Sequence, residues 1–234
     1  STPLGTDGVT VQLGGILATE SYSGYAQGTY KFTDWFDLTL GGRYQEEKRF
    51  LTKSTTGTLN PLNGDYVELI GWPLDSKTAK TFSPKAVLSF HPRENALLYT
   101  SYSVGYKSGT FNIANLYVPP NYIVPEKVTT VEAGAKVDFF DGLLRLNGAV
   151  FNNQIDNLHT GFVSLLTSGA VLFITAPEAR TRGAEIDGTL IPLPTLNPGL
   201  ALTGNAAYVD AKYKDFPNAK GFDPTTGLLL NNVD

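Results

Sequence analysis

The chain has 234 residues; its charged fraction of 17% lies below the usual quarter or so, while aromatics reach 12%. The absence of cysteine excludes a disulfide framework and a thiolate zinc site, and the net charge of −4 leaves no basic footprint for nucleic acid. No stretch approaches the roughly 20 continuous apolar residues of a membrane-crossing helix, a test that says nothing of membrane strands.

Helical periodicity is nearly absent, and alternation with a period of two recurs along the chain. It predicts eight strands, at about 22–33, 36–50, 80–91, 95–107, 128–139, 143–157, 179–191 and 199–213. In 36–50, Phe36, Leu38, Leu40 and Tyr44 oppose Asp37, Thr39, Arg43 and Gln45. In 128–139, Val131, Ala133, Ala135, Val137 and Phe139 oppose Thr130, Glu132, Lys136 and Asp138. In 143–157, Leu144, Leu146 and Val150 oppose Arg145 and Asn147; in 179–191, Ala184, Ile186 and Leu190 oppose Glu185, Asp187 and Thr189. Such sets point to opposite faces of a strand.

The connections sort by length. Those at 33–35, 92–94, 140–142 and 192–198 are short; those at 51–79, 108–127 and 158–178 are long, and another long one begins at 214. Short and long alternate, as in a transmembrane barrel with tight turns on one rim and loops on the other. Compact soluble domains rarely hold several loops longer than about 15 residues. The strands also exceed the globular mode of about 5–6 residues and suit a tilted bilayer crossing of about 9–11. Aromatics near strand ends, among them Tyr22, Tyr30, Phe32, Trp35, Phe36, Phe90, Phe139 and Tyr208, suit interfacial girdles. The fold class expected is all-β: an antiparallel transmembrane barrel segment facing outer-membrane lipid. A soluble β-sandwich also alternates, but with shorter strands and no sorting of loops.

No catalytic arrangement stands out. His91 lies beside a short turn and His159 in a long loop, neither at metal-ligand spacing, and both read as solvated. No metal, cofactor or enzymatic chemistry is expected. The charges Lys31, Arg43, Lys85, Lys107, Glu132, Lys136, Asp138, Arg145, Arg182, Glu185 and Asp187 read as a polar, lumen-facing wall, paired or hydrated. Recognition is expected in the long loops. Rigid aromatics there bind ligands at low entropic cost, which makes Trp72, Phe111, Tyr117 and Tyr122 the candidate substrate-binding residues.

Four segments resemble the barrel of a TonB-dependent receptor of the Gram-negative outer membrane. Tyr25-Ala-Gln-Gly-Thr-Tyr30 with Leu38-Thr-Leu-Gly-Gly-Arg-Tyr44 is similar to that family's Y-x-Q-x-T-Y … L-T-x-G-x-R-Y hairpin. Ser83-Pro-Lys-Ala-Val-Leu-Ser89, Leu98-Tyr-Thr-Ser-Tyr102 and Gly105-Tyr-Lys-Ser-Gly-Thr-Phe-Asn112 follow its next pattern. Pro125-Glu126, Val131-Glu-Ala-Gly-Ala-Lys136 and Asp141-Gly-Leu-Leu-Arg-Leu-Asn147 follow the third, with Val131 where an aromatic is usual. Ala179-Arg180 with Arg182-Gly-Ala-Glu185 resembles the fourth.

The resemblance implies a piece of a barrel of about 22 strands, with residues 1–234 as one partial barrel domain and no recognisable plug segment among them. It implies location in the outer membrane and energised uptake of a scarce nutrient, a ferric siderophore above all, driven by a TonB-type protein acting through a plug. The Arg182 and Glu185 pair is structural on this reading. The alternatives are a passive porin, a self-contained eight-stranded barrel and an enzyme on a barrel scaffold.

Overall fold

The computed structural model describes residues 11–60, 62–113, 119–164, 170–197, 199–215, 220–222 and 229–231. The described residues form strands and connections, with no helix among them. In chain order the strands are β1 (Val11–Thr33), β2 (Phe36–Leu59), β3 (Tyr66–Gly71), β4 (Asp75–Arg93), β5 (Ala96–Lys107), β6 (Thr110–Asn112), β7 (Asn121–Ile123), β8 (Glu126–Phe139), β9 (Leu144–Ser164), β10 (Ala170–Leu190), β11 (Leu202–Asp215), β12 (Lys220–Phe222) and β13 (Leu229–Asn231). One nine-stranded sheet runs β1-β2-β4-β5-β8-β9-β10-β11, with β3 added to the upper end of β2. All its pairings are antiparallel.

The eight expected wall strands are present, in order, joined by tight turns at the expected places. The turn at 140–142 uses left-handed backbone at Phe140, Asp141 and Gly142 (φ 54°, 55° and 86°). Glycine and aspartate accept that conformation readily; phenylalanine does so at a steric cost. β1 and β11 stand at opposite edges and are not paired with each other. A self-contained eight-stranded barrel would require that pairing.

The strands outrun the expectation at the loop-bearing rim. β1 starts at Val11 rather than near 22, β2 continues to Leu59, and β9 and β10 keep one ladder from Leu190↔Leu144 up to Ala170↔Ser164. The region 158–178 is therefore largely hairpin, not loop. Alternation marks a strand only where one face meets lipid and the other water. Above the bilayer neither face meets lipid, so the ladder continues without that mark. Pro177 stands opposite Asn157 within this ladder, and Asn157 takes φ 56°, a local irregularity where a proline cannot donate.

Register fixes which side chains share a face. On the outward side β2 presents Phe36, Leu38, Leu40 and Tyr44 beside Phe90, Leu88, Ala86 and Phe82 of β4. The same face continues as Leu98 and Tyr102 on β5, Val131, Ala133, Ala135 and Val137 on β8, and Leu146 and Val150 on β9. This apolar band runs about ten residues along each strand, roughly 25 Å after a tilt of about 40°. Below it the tight-turn rim carries a chain of rings: Tyr30 on Phe32 (centroids 4.9 Å), Phe32 on Phe36 (5.5 Å), and Trp35 edge-on to Phe90 (5.6 Å). Above it the first outward charges are neighbours across strands. Lys80 pairs with Glu46 (3.3 Å), Lys127 with Asp156 (3.6 Å) and Arg182 with Asp210 (3.1 Å).

The two faces predict unequal tolerance of charge. Val150→Arg, on the outward face (56% exposed), is expected to destabilise the intact barrel by about 2–4 kcal/mol near mid-bilayer. Ala149→Arg, one residue away and facing the lumen opposite Glu185, is expected to cost less than Val150→Arg. Denaturant unfolding from lipid vesicles measures both; equal losses would show that the two positions do not face different media.

Candidate functional site

The polar face is concave and holds two layers. The lower layer is a wall of cross-strand partners. Arg145 grips Asp138 with two hydrogen bonds (Nε 2.7 Å, Nη2 2.9 Å). His91 meets Asp37 at 3.0 Å, so it belongs to the wall rather than to free solvent. Asn147 donates to Asp187 (2.8 Å), and Glu185 lines a small cavity with Lys136, Asn147 and Asp187. Arg43 donates to Ser23 (3.1 Å).

The segment Val131-Glu-Ala-Gly-Ala-Lys136 has one physical purpose here, which is to seat Tyr99 of the neighbouring strand. Tyr99 lies opposite Gly134. A Cβ on Gly134 would fall 2.6 Å from the Tyr99 ring, so only glycine leaves room for it. The Tyr99 hydroxyl donates to Glu132 (2.7 Å), and the Lys136 ammonium sits 5.9 Å from the ring centroid. Glutamate, glycine and lysine at spacings of two thus bond, admit and cap one aromatic.

The upper layer is made by the connection from β5 to β8. It folds back over the concave face instead of rising from the rim, and its β6–β7 hairpin becomes the buried centre of the chain. Phe111, Asn112 and Ile123 are buried, as are Leu51 of β2 and Ala176 and Ala179 of β10, while Thr55 and Thr56 of β2 accept from Tyr66 and Trp72 on the β3 side. Ile113 reaches β1, where a Cβ on Gly15 would meet its side chain. A Cβ on Gly109 would run into the Tyr122 hydroxyl and the Ile123 carbonyl, so this glycine lets the hairpin close.

Both ends of the connection are fastened through carboxylates. At the outgoing end Ser108 donates to Glu47 (2.7 Å), a buried side chain also held by Arg49 (3.0 Å). At the returning end Glu126 accepts the His159 backbone N–H (3.0 Å) and pairs with Lys107 (3.6 Å). The His159 ring nitrogen Nε2 lies 2.6 Å from the Val124 carbonyl oxygen, where it must carry the proton. His159 is thus a clamp rather than a solvated loop residue. Arg43, Gln45, Glu47, Ser83, Tyr106 and Ser108 enclose a cavity of about 130 Å³ beneath the outgoing end.

The candidate binding aromatics divide. Phe111 and Tyr122 meet edge to face (5.3 Å, 61°). Phe111 is only 3% exposed, so its ring packs the hairpin. Tyr122 is half-buried; burial first, then the Glu47 carboxylate, raise its pKa, against the pull of Arg49 and Lys77. Its hydroxyl therefore stays neutral. Trp72 stands apart, after β3, with its indole donating to Thr56 (3.0 Å), while Tyr66 donates to Thr55 (3.0 Å). Tyr117 lies outside the described residues.

Of the charges assigned to the lumen wall, Arg43, Lys107, Glu132, Lys136, Arg145 and Glu185 lie on the polar face. Arg182 does not. It opposes Asp210 and Asn152 on the outward face and is bonded to Asp210. Residues three apart in a strand point to opposite sides, so Arg182 and Glu185 form no pair. Sequence reading missed Tyr99, Glu47 and Ser108. The first could be found from the glycine of the Glu-x-Gly-x-Lys spacing; the others depend on a fold-back with no local signal.

Comparison with known proteins gives one consistent pattern. The TonB-dependent receptor-like β-barrel family matches residues 2–233. The chain is 29% identical over 148 residues to the probable TonB-dependent siderophore receptor PiuA of Acinetobacter baumannii, covering 59% of this chain and 18% of that protein. It thus spans about a fifth of that relative's length. Among solved structures, the ferric yersiniabactin uptake receptor FyuA of Yersinia pestis superposes with a TM-score of 0.67 at 18% identity, over 88% of this chain and 29% of that one. The copper transporter OprC superposes with a TM-score of 0.66 at 14% identity, over 85% and 30%.

Cutting one fastening tests the folded-back arrangement. Glu47→Ala removes the acceptor for Ser108 and Arg49, worth about 1–3 kcal/mol for a buried partner. Amides of 110–112 and 121–123 are expected to exchange at least tenfold faster with deuterium, and those of 128–137 to keep their protection. Unchanged exchange in the hairpin would mean that Glu47 does not hold it.

Proposed function

The chain belongs to the TonB-dependent receptor-like β-barrel family, and from that premise we propose that it forms wall and vestibule of a Gram-negative outer-membrane receptor for energised nutrient uptake. The cargo proposed is a ferric siderophore, and the energy comes from a TonB-type partner. The protein moves its cargo without covalent chemistry on it. The observation that carries this reading is the fastened β5–β8 connection: a concave polar face, roofed at the loop-bearing rim by a hairpin whose ends are tied to β2 and β9. A roof of this kind presents a prearranged surface to a large ligand arriving from outside. The siderophore receptor PiuA as a relative supports the cargo class; the copper transporter OprC as a structural neighbour names the rival.

The ligand surface proposed consists of Trp72, Tyr117 and Tyr122, with Phe111 as the packed support beneath Tyr122. The triple variant Trp72→Ala, Tyr117→Ala, Tyr122→Ala in the intact receptor is expected to weaken ferric siderophore binding at least tenfold, about 1.4 kcal/mol or more. Fluorescence titration with a panel of ferric catecholates and hydroxamates measures it. Binding unchanged by the triple variant would remove these residues from the site. Wild-type receptor that takes up copper(II) and none of the ferric complexes would overturn the siderophore assignment.

A further inference from the structure

Four cations stand close together on the outward face of β10 and β11, directly above the apolar band. They are Arg180 and Arg182 on β10 and Lys212 and Lys214 on β11. Below them the same outward rows run through Ala184 and Ile186 on β10 and Tyr208 and Ala206 on β11. Asp210 serves both Arg182 (3.1 Å) and Lys212 (3.6 Å), and Glu178 is taken by Lys214 (2.7 Å). The neighbouring Asp156 on β9 is engaged by Lys127 (3.6 Å).

Arg180 is left over. Register sets it directly opposite Lys212 on one side and Gln154 on the other. Like charges directly opposite destabilise an antiparallel pair. The Arg180 Nε is also buried without a hydrogen-bond partner. A guanidinium N–H removed from water with no acceptor is unfavourable, and buried polar atoms nearly always find one. Among the described residues the carboxylates of the patch are committed elsewhere, which leaves Arg180 open to an acceptor from outside the chain.

We infer that Arg180, Arg182 and Lys212 form a binding site for the phosphate headgroup of an outer-leaflet lipid. Three features select that ligand. The site lies where the apolar band gives way to the polar interface, the depth of a lipid headgroup. Arginine forks match phosphate oxygens in bidentate fashion, and a phosphate monoester carries enough charge to relieve both Arg180 and Lys212. The surface faces sideways into the membrane, so lipid reaches it continuously and a soluble anion does not. The inference rests on the proposed membrane location of the barrel.

Native mass spectrometry of the intact receptor in mild detergent tests it. The probes are diphosphorylated lipid A, the same lipid dephosphorylated, and phosphatidylethanolamine. Wild type is expected to retain the phosphorylated lipid over the dephosphorylated one by at least fivefold. The R180Q/K212Q variant is expected to lose that preference, leaving phosphatidylethanolamine unchanged, while R180K keeps at least half of it. K80Q, which removes a lysine at the same depth whose partner is Glu46, is expected to behave as wild type. Retention by R180Q/K212Q within twofold of wild type, or equal retention of both lipid A forms by wild type, overturns the site. Should the double variant not insert, K212Q alone decides, with a loss of at least twofold expected and no loss overturning the site. Failure of the wild type to insert into vesicles overturns the membrane reading instead, so the two failures are distinct.

Discussion

Every backbone N–H and C=O at bilayer depth must find its partner in a neighbouring strand, because hydrocarbon offers none. That requirement dictates the ladders where this sheet crosses the bilayer, with β1 and β2 paired without interruption from Lys31↔Asp37 to Gly24↔Tyr44. Once the backbone is satisfied between strands, the side chains fall into two independent rows. One row meets lipid and the other meets water. The outward row loses its tolerance for charge between the aromatic rim and the first ion pairs, so Glu46 and Lys80, far apart in sequence, stand side by side where that tolerance returns. Register thus converts scattered charges into a line at one depth.

The same separation explains why the segments that resemble the receptor family are mostly packing devices. Glu132, Gly134 and Lys136 arrange Tyr99. Gly109 and Phe111 close the β6–β7 hairpin. Glu126 fastens its return. None of these residues needs to touch a ligand to be indispensable. Such packing devices dictate shape, and the yersiniabactin uptake receptor FyuA and the copper transporter OprC share that shape at under 20% identity.

Strand order and tight turns were legible because lipid on one side and water on the other imprint alternation on the sequence. Two things were not. The strand extensions above the bilayer, such as 51–59 and 170–178, do not divide lipid from water, and Leu51, Thr55, Thr56 and Ala176 are covered by the chain itself, so no regular alternation marks them. The buried centre at Phe111, Asn112 and Leu51 joins segments some sixty residues apart in sequence, and in the run Glu46-Glu47-Lys48-Arg49 nothing local tells which carboxylate will be covered. The outward position of Arg182, by contrast, is written in the sequence. Its odd spacing from Glu185 already places the two on opposite faces.

On the proposed reading, selectivity arises where the ladder ceases to dictate position. The β5–β8 connection meets that condition, and it is held at both ends by groups with opposite demands. Glu47 is covered and must keep its donors, Ser108 and Arg49, or leave a buried charge unpaired. Glu126 is likewise covered and answers to His159 and Lys107. Neither carboxylate can be released alone without exposing the apolar side chains that the hairpin buries, Phe111 and Ile123 among them. The connection is accordingly fastened at its roots, and in the proposed receptor variation in its middle would change recognition without disturbing the wall that carries it.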